Sequence, residues 1–286
     1  MKQYLPLIVV GLLLAGCERN PSSPAAPSSP AAAPPAVAEP AAPPAPPVAP
    51  RPPVTEPASA DACEKALALK KAGQLVPARD LLWPVAEAAD APDCVFDLLG
   101  EINTLILFSP VPAPEKVDYT IEAGDTLAKL AAKFGAPIAL IKKANNLQSD
   151  TIRIGDRLRI YQPQFAVRVD KTKNILTVTD HGRFFKRYRV GTGEYSKTPV
   201  GTFKITVRQA EPVWHHDGQV VPYGDKANIL GTHWLGLDVP GYGLHGTWDT
   251  NSIGKQATAG CVRMLNSDIE ELYTILPLGT PVTIHE

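Results

Sequence analysis

The chain has 286 residues and a formal net charge of −1, and its composition includes 30 prolines and four cysteines. This length is enough for two or three domains, although the proline content indicates that part of the chain is not globular. The near-neutral net charge gives no electrostatic case for binding nucleic acid or an anionic membrane surface.

Residues 1–17 have the pattern of an export signal. An apolar run from Leu5 to Ala15 is too short to span a bilayer, and it ends in Leu14-Ala15-Gly16-Cys17, which resembles a bacterial lipobox. The resemblance predicts lipidation of Cys17 and a chain tethered to a membrane without spanning it; a plain signal peptide or a core helix is the alternative. Because Glu18 is not the aspartate associated with inner-membrane retention, the expected location is the periplasm, at the outer membrane of a Gram-negative bacterium.

Residues 18–60 are predicted to form a disordered linker. Between residues 21 and 57, fifteen of 37 residues are proline and most others are alanine or serine. Such a segment cannot bury enough apolar surface to offset the entropy of ordering. Because proline favours extended polyproline II, we expect the linker to let the folded part reach a layer at some distance from the membrane.

Residues 61–110 are predicted to form a small helical bundle. Apolar residues recur with helical spacing in two segments separated at Gly73, and a third segment runs from Val95 to Phe108. Pro84 falls inside the second segment, so that helix is expected to kink or to begin late. The pattern resembles one and a half tetratricopeptide-like units without the full signature. The expected role is a spacer or a surface for a protein partner.

Cys63 and Cys94 lie near the predicted starts of the first and third helices. In the tetratricopeptide-like arrangement these helices run alongside each other, which implies a disulfide between the two cysteines. Two free, buried thiols are the alternative. Neither cysteine has a histidine or another cysteine close by in the sequence, so no catalytic or metal-binding role is expected for them.

Residues 117–162 are predicted to form a small βααβ domain. After a short strand, Asp125 or Thr126 is expected to cap the first helix and Gly135 to end it. Pro137 begins a second helix, and alternating apolar residues from Ile152 to Ile160 predict the return strand. These runs resemble a LysM module. The resemblance implies binding of glycan chains that contain N-acetylglucosamine, between the first strand–helix loop and the loop after the second helix; a module that serves only folding is the alternative.

Residues 165–286 are predicted to form a strand-rich domain with one helix near Ser267–Leu276. Within it, His245 and Cys261 stand in glycine-flanked turns, sixteen positions apart (261 − 245). A thiol is a nucleophile as the thiolate, and a nearby imidazole can accept its proton. Backbone N–H groups beside Gly260 can stabilise an oxyanion, and Arg263 can bind a carboxylate. The pattern predicts a cysteine acyl-transfer site, with a buried packing cysteine and histidine as the alternative.

These turns resemble the signature of the L,D-transpeptidase catalytic domain of the YkuD type, in which a histidine is followed at a similar distance by Ser/Thr-x-Gly-Cys-x-Arg. Further runs match in the family's order: Tyr188–Gly193, Thr198–Phe203, Asn228–Leu235 and Asp268–Val282. The resemblance implies a mainly-β sandwich with the cysteine in a groove at one edge. One departure is Ala259, where many members have a second histidine, which leaves His245 as the only motif histidine.

The resemblance further implies a peptidoglycan L,D-transpeptidase that acts in cell-wall biogenesis and cell shape and needs no cofactor or metal. Cys261 is expected to attack the carbonyl that links diaminopimelate to the terminal D-alanine of a tetrapeptide stem. His245 would move the proton, with the Gly246 carbonyl fixing its tautomer, and the N–H groups of Cys261 and Gly260 would bind the oxyanion. An amine acceptor would give a 3→3 cross-link or an anchored protein, and water would give a carboxypeptidase or endopeptidase; the sequence leaves these open.

The residues expected to bind substrate are Arg263, Thr258, Asn228, His233 and Trp234, of which His233 and Trp234 line the groove or simply pack.

Two metal sites and a non-catalytic function are the alternatives. His215-His216-Asp217 contains three potential ligands, although neighbouring residues of a strand point to opposite faces. His233, His245 and Cys261 could form a two-His-one-Cys zinc site. A lipid-anchored, wall-binding protein with an inactive catalytic fold is the other function, and Ala259 is the one feature that favours it.

Overall fold

The structure, a computed structural model, describes residues 56–286 except 89 and 217, with side chains from residue 60 onward. The predicted signal segment with Cys17, and the linker as far as residue 55, lie outside the described residues. All described residues belong to one compact unit. None of its helices is both long enough and apolar enough to cross a membrane.

Three helices open the described chain: α1 Glu56–Lys71, α2 Leu75–Ala86 and α3 Asp93–Leu107. The first helix begins inside the segment predicted as linker, five residues before Asp61 (61 − 56). Pro84 lies in the last turn of α2, so the expectation that this helix begins late is wrong. Small and aliphatic side chains, including Ala66, Leu82 and Ile102, form a core of their own between the three helices.

The next segment has the predicted βααβ order: β1 Lys116–Thr120, α4 Leu127–Phe134, α5 Ile138–Ala144 and β2 Arg157–Tyr161. The Thr126 side chain accepts the Lys129 N–H at 3.2 Å, so Thr126 caps α4. The Asp125 carboxylate instead accepts the Glu122 N–H. Gly135 ends α4 with a left-handed φ of 65°, as the sequence predicts.

The remaining chain is mainly strand. Its elements are β3 Phe165–Asp170, β4 Ile175–Asp180, β5 Arg183–Arg189, β6 Thr192–Gly193, β7 Gly201–Ala210, β8 Trp214–His216, β9 Gln219–Val221, β10 His233–Leu237, β11 Gly243–His245, β12 Gln256–Thr258, β13 Val262–Arg263, α6 Asn266–Ile275 and β14 Pro281–His285. Eight of the strands form one mixed sheet in the order β13-β11-β10-β7-β14-β3-β4-β5. Two short pairs, β12-β6 and the hairpin β8-β9, stand beside it.

The long strand β7 joins two halves of this sheet. Its first residues, Gly201 to Lys204, pair with β14, whereas Ile205 to Ala210 pair with β10. Strands that pass from one sheet to another make the corners of β-sandwiches. The predicted sandwich is therefore one continuous sheet whose halves share β7.

A single apolar core links the strand domain with the βααβ module. It includes Val167 and Leu235 from the two halves of the sheet, Leu272 from α6, and Leu130 and Ile160 from the module. Helix α6 contacts both β10 and the module helix α5. The element that follows β13 therefore connects the two domains.

Helix α3 packs on β5, the edge strand of the large sheet. Trp83 Nε1 donates to the Phe184 carbonyl at 3.1 Å, and Asn103 Nδ2 donates to the Phe185 carbonyl at 2.8 Å. Lys186 binds Glu271 of α6 at 2.7 Å. An edge strand is exposed to unwanted pairing unless another element covers it. The sequence predicts a spacer or a partner surface for the three helices. In the structure they also cover the edge strand β5.

We expect Asn103→Leu to lower the free energy of unfolding by about 1–3 kcal/mol, because it leaves the buried carbonyl of Phe185 without its donor. Urea unfolding of the full chain measures the change. Gln148→Leu, which replaces an exposed amide, is the matched control. Equal midpoints for the two variants would contradict the importance of this contact.

Candidate active site

Parallel pairing of β11 with β13 brings the predicted histidine and cysteine together. Leu244 pairs with Val262 and His245 with Arg263, so Cys261, which directly precedes β13, lies beside the start of β11. Both His245 and Cys261 line one groove of about 560 Å³. The structure thus brings the two predicted residues to the same groove.

One wall of the groove comes from the sheet and the opposite wall from the β8-β9 hairpin. Besides His245 and Cys261, the residues that line the groove include Trp214, His215, His216, Leu230, Trp234, Tyr242, Thr258 and Arg263. Trp234 stacks near His245, with ring centroids 5.9 Å apart and planes at 24°. A Cβ at Gly243 would lie 2.6 Å from this indole, so the missing side chain makes room for it.

His245 is buried and has a fixed tautomer. Its Nδ1 lies 2.6 Å from the Gly246 carbonyl oxygen. A carbonyl only accepts, so Nδ1 carries the proton and Nε2 is left to accept one. Burial lowers the pKa of His245 from 6.5 to about 4, against the raising effect of the Gly246 and Leu230 carbonyls. The imidazole is therefore neutral at rest, and the predicted Gly246 contact is present.

We expect His245 to make the fold sensitive to acid. Folding lowers its pKa, so the unfolded chain binds this proton more tightly. The contribution to stability is intact above pH 6.5 and is lost as the pH falls through about 4, by about 3 kcal/mol in total. Chemical denaturation between pH 7 and pH 4 should show a shallower decline for His245→Gln than for wild type. The control is His285→Gln, which replaces a partly buried histidine at the end of β14, and parallel curves for all three chains would contradict the prediction.

The side chain of Cys261 is partly exposed, and its thiol is protonated at rest. Burial raises the pKa of Cys261, while the Gly243 N–H and the charge of Arg263 lower it by less. The Sγ atom donates to the Gly241 carbonyl at 3.5 Å. The resting site is thus a neutral thiol beside a neutral imidazole, and proton transfer must accompany substrate binding.

Thr258 organises the cysteine loop. Its hydroxyl donates to the Cys261 carbonyl at 2.7 Å and accepts the Gly260 N–H at 3.2 Å. The Gly260 N–H is therefore already bonded, which corrects its predicted role as a free oxyanion donor. Among the described residues the Cys261 N–H has no hydrogen-bond acceptor, so it is the better oxyanion donor. Thr258 supports the loop besides lining the groove.

Arg263 has unused bonding capacity at the groove. Its Nε is buried and has no hydrogen-bond partner among the described residues. Its Nη1 lies 3.9 Å from a carboxylate oxygen of Asp249. A buried guanidinium without a full set of partners is suited to an incoming carboxylate. This position agrees with its predicted role in substrate binding.

The two aromatic residues at the start of β10 point to opposite faces. Trp234 lines the groove, whereas the His233 ring packs 4.4 Å from that of Tyr273 in α6. Alternation of side chains along a strand explains the difference. His233 therefore packs against α6 and does not line the groove, which is the second of the two alternatives that the sequence leaves open, and burial lowers its pKa. Because it faces away from Cys261, the predicted alternative of a shared zinc site is wrong.

Asn228 is buried beneath the loop rather than exposed to the groove. Its Nδ2 donates to the Pro212 carbonyl at 2.9 Å and to that of Val221 at 3.1 Å, and its Oδ1 accepts the Leu230 N–H at 2.9 Å. These bonds join the β8-β9 hairpin to the turn before β10. The predicted contact with substrate is replaced by a role in holding this loop.

Two parts of the groove were not predicted from the sequence. The first is the hairpin, where Trp214 stacks on His216 at 4.6 Å and His215 also lines the groove. The second is Tyr242, whose ring lies 2.8 Å from where a Cβ of Gly260 would be. Tyr242 stands one residue before the motif Gly243, and that adjacency was the available signal. Within the described ranges no three His, Cys, Asp or Glu side chains form a metal site; Asp217 lies outside them.

Cys63 in α1 and Cys94 in α3 have sulfur atoms 2.7 Å apart as thiols. Burial, followed by the neighbouring Cys94, raises the pKa of Cys63 to about 12. The predicted proximity is present, and the disulfide itself stays a prediction. Both cysteines lie in the helical region, away from the groove.

Two family models match parts of this chain. Residues 164–284 match the model of the L,D-transpeptidase catalytic domain of the YkuD type, and residues 119–160 match the LysM domain. The cell wall-binding protein YocH of Bacillus subtilis (strain 168) is 52% identical over 42 residues, which are 15% of each chain. A solved L,D-transpeptidase of Mycobacterium smegmatis is 16% identical, with a TM-score of 0.38, over 47% of this chain and 65% of its own.

The candidate L,D-transpeptidase YkuD of Bacillus subtilis (strain 168) is 33% identical over 174 residues. The match covers 58% of this chain and 98% of that protein, so it includes nearly everything that the relative contains. A match of this identity, over nearly the whole of the relative, shows that the two proteins belong to one family. The chain therefore belongs to the YkuD family of L,D-transpeptidases.

Proposed function

We propose that the chain is a peptidoglycan L,D-transpeptidase in which Cys261 is the nucleophile and His245 the general base. The observation that carries the proposal is the shared groove, in which His245 Nδ1 is bonded to the Gly246 carbonyl and its Nε2 can accept the thiol proton. Family membership supports the reaction class. A buried imidazole that is neutral at rest is the form that acts as a base.

In the first half of the reaction, the proton of the Cys261 thiol moves to His245 Nε2. The sulfur forms a bond to the carbonyl carbon between diaminopimelate and D-alanine of a tetrapeptide stem. The Cys261 N–H stabilises the oxyanion, and Arg263 binds a substrate carboxylate. The C–N bond then breaks, D-alanine leaves with the proton from Nε2, and a thioester stays on Cys261.

In the second half, an acceptor amine attacks the thioester carbon. His245 takes a proton from the amine and returns it to the departing sulfur, which restores the thiol. An amine on a neighbouring stem gives a 3→3 cross-link, and an amine of a protein gives an anchored protein. The groove between the sheet and the β8-β9 hairpin gives both the stem and the amine access to Cys261.

The test is incubation of the purified chain with disaccharide-tetrapeptides, followed by mass spectrometry of the products. We expect D-alanine release together with 3→3 dimers, both absent for Cys261→Ser. Tripeptides without dimers would identify a carboxypeptidase. Intact substrate with wild-type protein would favour the non-catalytic wall-binding function.

We further propose that the LysM domain binds glycan chains and holds the catalytic groove near polymeric peptidoglycan. The family match and the likeness to a cell wall-binding protein support this assignment. The core shared by the LysM and catalytic domains means that a bound glycan stays close to the groove. Sedimentation with insoluble peptidoglycan, compared for the full chain and Cys261→Ser, tests binding apart from catalysis.

The lipobox motif supports a second proposal, that Cys17 carries a lipid which anchors the protein at the outer membrane, facing the periplasm. In an oxidising periplasm Cys63 and Cys94 would form the disulfide. Mass spectrometry of the N-terminal peptide and membrane fractionation of Cys17→Ala test the anchor. An unmodified N-terminus in the membrane fraction would contradict it.

A further inference from the structure

Asn266, the first residue of α6, contacts two turns whose backbone carbonyl groups interact with the catalytic histidine. Its Oδ1 accepts the Thr232 N–H at 3.1 Å. The same oxygen lies 2.2 Å from where a Cβ of Gly246 would be, and 2.3 Å from that of Gly231. Both glycines are buried, and only residues without side chains admit the amide this closely. Asn266 is thus wedged between the turn after β11 and the turn before β10.

These two turns supply the two carbonyl groups that act on His245. The Gly246 carbonyl accepts the proton of Nδ1, and the carbonyls of Gly246 and Leu230 both raise the pKa of His245 against the effect of burial. Leu230 directly precedes Gly231. The backbone that Asn266 touches is therefore the backbone that presents both acceptors to the imidazole.

We propose that Asn266 is a positioning residue for the transpeptidase reaction, acting through the turns at Gly231 and Gly246 to fix the tautomer and orientation of His245. Asn266 does not touch the thiol or the substrate. It keeps the Gly246 carbonyl on Nδ1, which leaves Nε2 free to accept the proton of Cys261. It also keeps the Leu230 carbonyl in place to stabilise the imidazolium formed after that transfer.

The chemistry of the position favours an amide or a carboxylate oxygen. The Thr232 N–H needs an acceptor, and the space between the two glycines is narrow, because a Cβ at either glycine would lie within 2.3 Å of Asn266 Oδ1. Alanine would remove the acceptor and leave the two turns without the group that separates them. Aspartate would keep an acceptor oxygen of the same length. Asn266 also lies only three positions after Arg263, the last residue of β13. A single short segment therefore positions the cysteine and the arginine directly and the histidine through the two turns.

The experiment uses the full chain and four variants: Asn266→Ala, Asn266→Asp, Ile275→Val and His245→Gln. Long-range proton–nitrogen NMR reports which ring nitrogen of His245 is protonated, and His245→Gln assigns the signals. Ile275 is buried at the other end of the same helix, nine residues from Asn266 (275 − 266), so its variant weakens the packing of α6 and leaves the Asn266 amide unchanged. The rate of Cys261 acylation by a carbapenem is measured in parallel from pH 5 to pH 9.

We expect one tautomer, with Nδ1 protonated, in wild type, Asn266→Asp and Ile275→Val. Asn266→Ala should show exchange between the two tautomers and acylation slower by on the order of 10²-fold. A single Nδ1–H tautomer in Asn266→Ala, or an equal loss in Ile275→Val, would overturn the inference. It rests on the proposed function only for the acylation readout, because a wild-type chain that fails to acylate would still give the NMR result.

Discussion

Replacing Cys261 by alanine is expected to abolish the covalent adduct that a carbapenem forms with the wild-type chain. The β-lactam carbonyl presents the same electrophile as the scissile peptide bond, and the ring opens when a sulfur bonds to its carbon. Without the thiol no acyl-enzyme forms, so turnover of a tetrapeptide should fall by about 10⁴-fold or more. Intact-mass spectrometry should show one added drug molecule in wild type and none in Cys261→Ala.

Two controls separate this result from nonspecific thiol chemistry. The double variant Cys63→Ala, Cys94→Ala removes the other cysteines of the described chain and should keep the adduct. His245→Gln should acylate slowly at pH 7, because the pKa of the Cys261 thiol is raised by burial and the base is missing. An adduct of full yield in Cys261→Ala would place the nucleophile elsewhere and remove the basis of the proposed function.

In the proposed mechanism, the electrostatics of the site explain why proton transfer from the Cys261 thiol to the His245 imidazole requires bound substrate. Burial disfavours charge on both groups, raising the pKa of Cys261 and lowering that of His245 to about 4. A resting thiolate–imidazolium pair is therefore not formed. In the proposed mechanism, the proton transfer becomes favourable when substrate is bound, because the Cys261 N–H can stabilise the oxyanion and Arg263 can bind the substrate carboxylate.

The parts of the site that sequence could predict are those fixed by local chemistry. Gly246 beside His245 and the Thr258–Arg263 run are short-range features, and the structure places them together as expected. The boundaries of the LysM helices followed from caps such as Gly135. Local signals of this kind depend on the backbone of a few neighbouring residues, which a single sequence contains.

The errors arose where the answer depends on which face of an element is buried. His233 and Trp234 are adjacent, and only the register of β10 with β7 and β11 decides which of them faces the groove. Asn228 belongs to a motif run, yet its amide donates to the carbonyls of Pro212, before β8, and Val221, in β9, which motif spacing does not reveal. The cover that α3 provides for β5 is likewise a long-range contact that periodicity cannot reveal.

Gly260→Ala is expected to disable the site although it leaves the cysteine and the histidine unchanged. Gly260 has a φ of 137°, a conformation that residues with side chains rarely adopt. A Cβ there would also lie 2.8 Å from the ring of Tyr242 and 3.3 Å from the Lys197 carbonyl. The loop must move to relieve both contacts, and Cys261 moves with it. A displacement of about 1 Å is enough to slow acylation on the order of 10²-fold.

Gly279→Ala separates the steric contact from backbone strain. Gly279 has a φ of 83°, has no atom within 4 Å of its would-be Cβ, and lies in the turn before β14, outside the groove. Both variants should lose stability, by about 1–3 kcal/mol for the strained backbone, but only Gly260→Ala should lose acylation. Calorimetry and the carbapenem adduct rate measure the two quantities on the same samples. If Gly260→Ala acylated as fast as Gly279→Ala, the thiol would not depend on the close packing of this loop against Tyr242.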